Sequence, residues 1–317
     1  VDPTSAPSHR IGILGAGSWG TALAITLSQS GHDVVLWARR PEAAERMRLQ
    51  HRNPRYLSEA LIPNAVTVTS DVDEAFESTD IWIIATPSQA VRSAAERIAH
   101  LAHEDLLIVS VAKGIETRSL HTMTQVLREV LTDVPAERIG VLYGPSHAEE
   151  VAAGQPTAVV SAGHTDAIAR EIQEVFMTPW FRVYTNTDVM GVEIAGSVKN
   201  VIAIAAGISD GVDFGDNAKA ALITRGLEEM KRLGVELGAN PRTFAGLAGL
   251  GDLVGTCTSE HSRNRYVGEA IGQGRSIEEI EGEMDMVAEG VRTTESLHAL
   301  GQSRNVDMPI TEVVYDI

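Results

Sequence analysis

Gly15-Ala16-Gly17-Ser18-Trp19-Gly20 stands between an apolar run, Arg10–Leu14, and a helical pattern over Thr21–Ser30. The G-x-G-x-x-G spacing has a mechanical reading. The first glycine makes a tight turn out of a strand, the second lets backbone approach a pyrophosphate, and the third lets helix pack on strand. Free N–H groups at the helix start then bind the anion. The competing reading is a glycine-rich turn with no ligand. The strand–turn–helix–strand setting at the start of the chain favours a dinucleotide motif.

Working outward, short apolar runs alternate with helical patterns. Strands are predicted at Asp33–Ala38, Val66–Thr69, Ile81–Ala85, Leu106–Val111, Gly140–Tyr143, Ala158–Ser161 and Arg182–Thr185. Ile81-Trp82-Ile83-Ile84-Ala85 is apolar throughout, as suits a strand buried on both faces of a parallel sheet. Helical stretches such as Gln89–Leu101 and Leu120–Leu131 separate most of the strands. The alternation predicts an α/β fold whose N-terminal part is a doubly wound, Rossmann-type, mainly parallel sheet. From about residue 188 the strand signals stop. Helices over Asp188–Ser209, Ala218–Gly234, Ser262–Gln273 and Ser276–Met284 predict an all-α C-terminal domain. The expected division is a flexible leader over residues 1–9, a dinucleotide-binding domain over 10–188, and a helical substrate and catalytic domain over 189–317. Ile317 ends an apolar segment, which suggests a terminal helix that continues.

Composition narrows the partners. Hydrophobic content is 44% and charged content 22% of 317 residues, ordinary globular usage that excludes a disordered or fibrous chain. No apolar run reaches the roughly 20 residues expected of a membrane-spanning helix. Val1–His9 lacks the positive start and apolar stretch of a signal peptide. Cys257 is the only cysteine, so no intrachain disulfide forms, which fits a reducing, cytoplasmic compartment. A net charge of −17 argues against nucleic acid and anionic lipid as partners. A small-molecule substrate is expected. If that substrate is phosphorylated, its site must be locally positive.

The second strand ends Trp37-Ala38-Arg39-Arg40, with no acid to receive ribose hydroxyls. Adjacent guanidiniums suit a 2′-phosphate, which favours NADP over NAD. A solvated surface pair is the competing reading, more so for Arg40 than for Arg39. Lysine is scarce: only Lys113, Lys199, Lys219 and Lys231 occur among 26 basic residues. An amine can give up a proton near neutral pH and a guanidinium cannot. Lys113 ends a predicted strand in Val111-Ala112-Lys113-Gly114. Lys199 has Ala195, Gly196, Ile202 and Ala203 as its helical neighbours. There it is either a poorly hydrated acid–base group with a lowered pKa or a side chain snorkelling to water. Asp252, flanked by glycines, either holds a lysine charged and oriented or caps a helix. Ser262-Arg263-Asn264-Arg265 opens a helix and reads as a phosphate site or, for Arg265, as an exposed basic turn. No His/Cys/Asp cluster stands at metal spacing.

These residues resemble the bacterial NAD(P)-dependent glycerol-3-phosphate dehydrogenase family over essentially the whole chain. The matching runs are Gly15–Ala24, Ser110–Ile115, Gly144-Pro145-Ser146, Glu193–Asn200, Gly246–Leu253 and Ser262-Arg263-Asn264. The resemblance implies that Ser18, Trp19 and Arg39 contact the cofactor beside Gly15, Gly17, Gly20 and Arg40, joined by Ala148, Val287 and Glu289. It implies substrate contacts from Lys113, Gly144, Ser146, Asp252, Ser262, Arg263 and Asn264, with Arg263 and Lys113 also near the cofactor. Lys199 is the implied catalytic acid/base, with Lys113 and Asp252 in support. A homodimer that supplies glycerol phosphate to phospholipid synthesis is implied as well. Two positions depart from the family pattern: His147, where an apolar or aromatic residue is expected, and Glu149, where lysine is frequent. Two other readings stay open. One is a reductase of another hydroxy acid, of the ketopantoate or 3-hydroxyacid type. The other is a non-catalytic NADP(H)-sensing protein.

Overall fold

The computed structural model describes residues 8–284 and 288–317. The chain divides into two compact units. One runs to Ala112 and adds Thr124–Leu142 and Ser146–Thr187; the other joins Lys113–Met123, Tyr143–Pro145 and Asp188–Ile317.

The first unit is built on an eight-stranded sheet in the order β3-β2-β1-β4-β5-β6-β7-β8. The strands are β1 (Arg10–Leu14), β2 (Asp33–Trp37), β3 (Val66–Thr69), β4 (Ile81–Ile84), β5 (Leu107–Ser110), β6 (Ile139–Tyr143), β7 (Thr157–Ala162) and β8 (Phe181–Asn186). All eight predicted strands are present, shifted by no more than one residue at either end. β1 runs parallel to both β2 and β4, so Ile13 lies beside Leu36 on one side and Ile83 on the other. The pairs β2–β3, β4–β5, β5–β6 and β7–β8 are also parallel. β4 is buried along its whole length, which its all-apolar sequence requires. The chain goes from β1 outward to β3, then returns to start β4 on the other side of β1. That reversal is the switch point where open α/β sheets bind ligands.

Helices of this part are α1 (Ser18–Gln29), α2 (Pro41–Gln50), α3 (Val72–Phe76), α4 (Val91–Ile98), α5 (Met123–Val130), α6 (Ala148–Ala152) and α7 (Asp166–Phe176). Their starts follow local chemistry. Pro41 opens α2, and the Asp71 and Thr165 side chains accept backbone N–H groups at the starts of α3 and α7. α7 buries Ile168, Ala169, Ile172, Val175 and Phe176, one stripe at helical spacing. Three predicted boundaries move. α1 begins at Ser18 because Gly17 is already its cap. The stretch Gln89–Leu101 is α4 with a 3₁₀ turn at each end. The stretch Leu120–Leu131 turns helical only at Met123, because Leu120 has a left-handed φ of 59°.

The second unit is helical: α8 (Val189–Gly211), α9 (Gly215–Glu236), α10 (Asp252–Thr258), α11 (Arg263–Gly272), α12 (Ile277–Glu283), α13 (Glu289–Ser303) and α14 (Pro309–Asp316). α8 is the axis, packed by α9, α10, α11, α13 and α14. Asp188 caps it by accepting the Gly191 N–H at 2.9 Å. α11 crosses it backbone to backbone: a Cβ on Gly207 would lie 2.0 Å from the Arg265 carbonyl oxygen, and one on Gly268 equally close to that of Ile204. α8 also corrects the expectation that no run is long enough to span a membrane. By length and hydropathy it passes that test, yet 89% of its apolar window is buried within the protein. Its small and branched residues are all-round apolar because helices surround it.

Candidate active site

The glycine turn leaves β1 with Gly15 at φ 122°. A Cβ there would approach the Ala85 carbonyl oxygen to 2.7 Å, so backbone angle and space both demand glycine. A Cβ on Gly20 would meet the Gly15 carbonyl oxygen at 2.0 Å, whereas nothing lies within 4 Å of one on Gly17. The open side of Gly17 leaves room for an anion to approach, at a helix start that no side chain caps and no acid occupies. These residues therefore fit a dinucleotide. Ser18 is buried, and Trp19 packs on the sheet's core with its ring 6.5 Å from Phe181. The Trp37 indole donates to the Ser70 carbonyl at 3.0 Å. Arg39 and Arg40 beside it are exposed and pair with none of the described residues. Ala148 opens α6 and is buried in the same core, two residues beyond Ser146. His147 precedes α6 as its cap residue, and Glu149 is exposed in its first turn.

In the helical unit three charges converge. Asp252 begins α10 and is buried. Its Oδ2 accepts from Lys113 Nζ at 2.7 Å, and its Oδ1 lies 2.8 Å from Lys199 Nζ. Lys113 also donates to the Gly144 carbonyl at 3.0 Å and sits 5.6 Å above the Tyr143 ring. Lys199 donates to Thr256 Oγ1 at 2.7 Å. That hydroxyl donates in turn to the Asp252 carbonyl, one helical turn back, at 2.6 Å. The Lys199 side chain keeps only 8% of its surface exposed and Asp252 3%. A snorkelling lysine is thus excluded, and Asp252 does more than cap a helix. Gly196 makes room: a Cβ on it would meet the Tyr143 ring at 2.6 Å.

The electrostatics follow from burial. Burial drives the Lys113 amine down to about 8; Asp252 opposes the shift and the charge on Lys199 adds to it. Burial pushes the Asp252 carboxyl up, but Lys113 and Lys199 together hold it below the usual carboxylate range. Two ammoniums around one carboxylate leave a net positive charge inside a strongly acidic protein. Each ammonium has three donors, so hydrogens remain for an anionic or carbonyl ligand. Cys257 plays no nucleophilic part, since burial pushes its thiol up to about 12.

The start of α11 differs from the expectation in detail. The Ser262 hydroxyl accepts the Arg265 N–H at 3.2 Å as the helix cap. Asn264 is buried; it donates to Asn200 Oδ1 at 3.0 Å and accepts the Gly290 N–H at 2.9 Å, tying α11 to α8 and α13. Arg263 is exposed in the first turn. Arg265 is no exposed basic turn: it pairs with Asp210 at 2.8 Å, which Lys219 also reaches at 2.7 Å. Glu289 is the first residue of α13. Val287 lies outside the described residues. Thr256 and Asn200 escaped the sequence reading. The i, i+4 spacing from Asp252 and the position beside Lys199 were the available signals.

Known proteins resemble this chain along most of its length. Residues 10–169 match the family model for the NAD-dependent glycerol-3-phosphate dehydrogenase N-terminus, and residues 188–317 match that for its C-terminus. A glycerol-3-phosphate dehydrogenase [NAD(P)+] of Salinibacter ruber is 60% identical, over 98% of this chain and 90% of its own length. The enzyme of the same name from Chlorobium limicola is 53% identical, over 97% and 92%. A crystal structure of glycerol-3-phosphate dehydrogenase from Coxiella burnetii superposes with a TM-score of 0.93 at 41% identity, covering 97% of this chain and 94% of that one.

Proposed function

The chain belongs to the NAD-dependent glycerol-3-phosphate dehydrogenase family, and from that premise we propose that it interconverts dihydroxyacetone phosphate and glycerol 3-phosphate, with Lys199 as the acid/base. The observation that carries the assignment is Lys199 and Lys113 gathered on the buried Asp252 carboxylate. The nicotinamide cofactor, NADP or NAD, supplies or accepts the hydride when bound. Gly15, Gly17, Ser18, Trp19 and Gly20 would hold its pyrophosphate side, and Arg39 with Arg40 a 2′-phosphate. The two exposed guanidiniums favour NADP as the preferred form.

In the reducing direction the substrate carbonyl carbon gains a hydride equivalent and its oxygen gains negative charge. Lys199 gives that oxygen a proton and is left as a neutral amine. Asp252 orients the ammonium and stabilises it until the proton moves. Lys113 stays charged and stabilises the developing oxyanion. Arg263 and the remaining Asn264 N–H bind the phosphate, and Ser262 shapes the helix start that carries them. Glycerol 3-phosphate oxidation reverses each step, with the neutral Lys199 amine taking the hydroxyl proton.

A homodimer in the cytoplasm, feeding glycerophospholipid synthesis, completes the reading. The single buried cysteine and the family support it, and sedimentation would report the oligomer. The test of activity is oxidation of NADPH and of NADH with dihydroxyacetone phosphate, beside ketopantoate and 3-keto acids. Turnover confined to dihydroxyacetone phosphate is expected. No turnover with it, or faster turnover with a keto acid, would overturn the assignment.

A further inference from the structure

We propose that Asn53 is a positioning residue for the cofactor: its side-chain amide sets the glycine turn so that the turn's N–H groups face the pyrophosphate. The inference rests on reading that turn as the dinucleotide site. Asn53 lies beyond α2, outside the motif, and is 3% exposed. Its Nδ2 donates to the Ala16 carbonyl at 3.0 Å and to Thr21 Oγ1 at 2.8 Å. Thr21 Oγ1 passes its own hydrogen to the Gly17 carbonyl at 2.8 Å. Both amide hydrogens of a buried asparagine are therefore spent on one turn.

The consequence follows from peptide geometry. A trans peptide is planar, so its carbonyl and the next N–H point in opposite directions. Holding the Ala16 and Gly17 carbonyls toward Asn53 and Thr21 turns the Gly17 and Ser18 N–H groups the other way. Among the described residues those two N–H groups, and that of Trp19, meet no partner. They are the orphan donors at a helix start, and the turn's own hydrogen bonds set their direction. Asn53 can act as a strut because it is itself fixed. Its Oδ1 accepts the Tyr56 N–H at 3.3 Å, its carbonyl accepts the Leu57 N–H at 2.9 Å, and Ile62 N–H closes the loop on the His51 carbonyl at 2.8 Å. Leu57 and Ile62 are buried in the core. Donors fixed in advance spare the binding step the cost of ordering them.

The test uses the full chain as wild type, Asn53→Ala, Thr21→Val and the double variant. Dissociation constants for NADPH and for adenosine 2′-monophosphate, which lacks the pyrophosphate, are read by fluorescence titration. KM and kcat with dihydroxyacetone phosphate and the melting temperature accompany them. Asn53→Ala should weaken NADPH roughly tenfold or more, as expected for lost alignment of donors to an anion. Adenosine 2′-monophosphate affinity, kcat and the KM for dihydroxyacetone phosphate should stay within about twofold. Thr21→Val should act in the same direction and the two effects should be less than additive, because both pass through one turn. If Asn53→Ala fails to fold, the neutral and isosteric Thr21→Val decides by the same readout. Equal losses for both ligands, or a lower melting temperature with unchanged NADPH affinity, would reduce Asn53 to a structural residue and overturn the proposal. Wild type that binds no NADPH would remove the cofactor reading itself, a result separate from variants that match a binding-competent wild type.

Discussion

Lys113 and Lys199 meet through a single carboxylate, each on its own oxygen of Asp252, at 2.7 and 2.8 Å. An isolated pair of buried ammoniums would repel and shed protons; the shared anion keeps them together. The cluster is coupled, so each member's removal has its own signature.

Lys199→Ala removes the proposed proton donor and leaves the glycine turn untouched. Turnover should fall by about 100-fold or more, the usual contribution of a general acid. NADPH affinity should stay within about twofold in a fluorescence titration. Wild-type turnover in a steady-state assay would refute the acid/base role.

Asp252→Asn keeps the shape and removes the charge. The two buried lysines then lose their shared counter-ion, a loss on the order of 3–5 kcal/mol for a broken buried pair. Thermal unfolding should move clearly downward and turnover should collapse. A melting temperature equal to that of wild type would show the ion pairs to be energetically idle.

The Lys113 amine, lowered by burial to about 8, gives a pH signature. It is charged below that pH and loses its proton as pH rises through it. Oxyanion stabilisation should weaken accordingly, so kcat/KM for dihydroxyacetone phosphate should decline above about pH 8. Lys113→Arg holds its charge throughout and should flatten that limb, at a lower absolute rate. Matching profiles from both proteins, taken over roughly pH 6 to 10, would assign the limb elsewhere.

Arg39→Asp replaces an exposed guanidinium, unpaired among the described residues, with the acid that ribose hydroxyls prefer. The NADPH over NADH ratio in kcat/KM should drop by roughly tenfold or more, the worth of one charge-assisted contact. An unaltered ratio would place the 2′-phosphate away from this strand end.

Gly196→Ala puts a methyl group 2.6 Å from the Tyr143 ring, which carries Lys113 above it. Overpacking of this kind costs about 1–3 kcal/mol. Stability and turnover should fall together, and a crystal structure should show Tyr143 displaced. Full activity would mean that the ring has slack.

The amino-acid sequence determined the sheet, since runs such as Ile81–Ile84 are apolar at every position, as suits interior strands, and alternate with helical patterns. It determined the glycine turn, because the G-x-G-x-x-G spacing stands between a strand run and a helical pattern; the close approaches at Gly15 and Gly20 came from the structure. Scarcity singled out Lys113 and Lys199, and the helical tail was legible from residue 188. Local spacing carries such information because it reflects the chain's own periodicity and sterics. The tertiary structure alone decided that Asp252 serves both lysines, that Thr256 joins them, that Asn264 ties Asn200 to Gly290, and that Arg265 belongs to Asp210. Those partners lie far apart along the chain, and no local pattern encodes which distant groups will meet. Only the packing of α10, α11 and α13 on α8 selects them, by burying charges and amides that must then find one another.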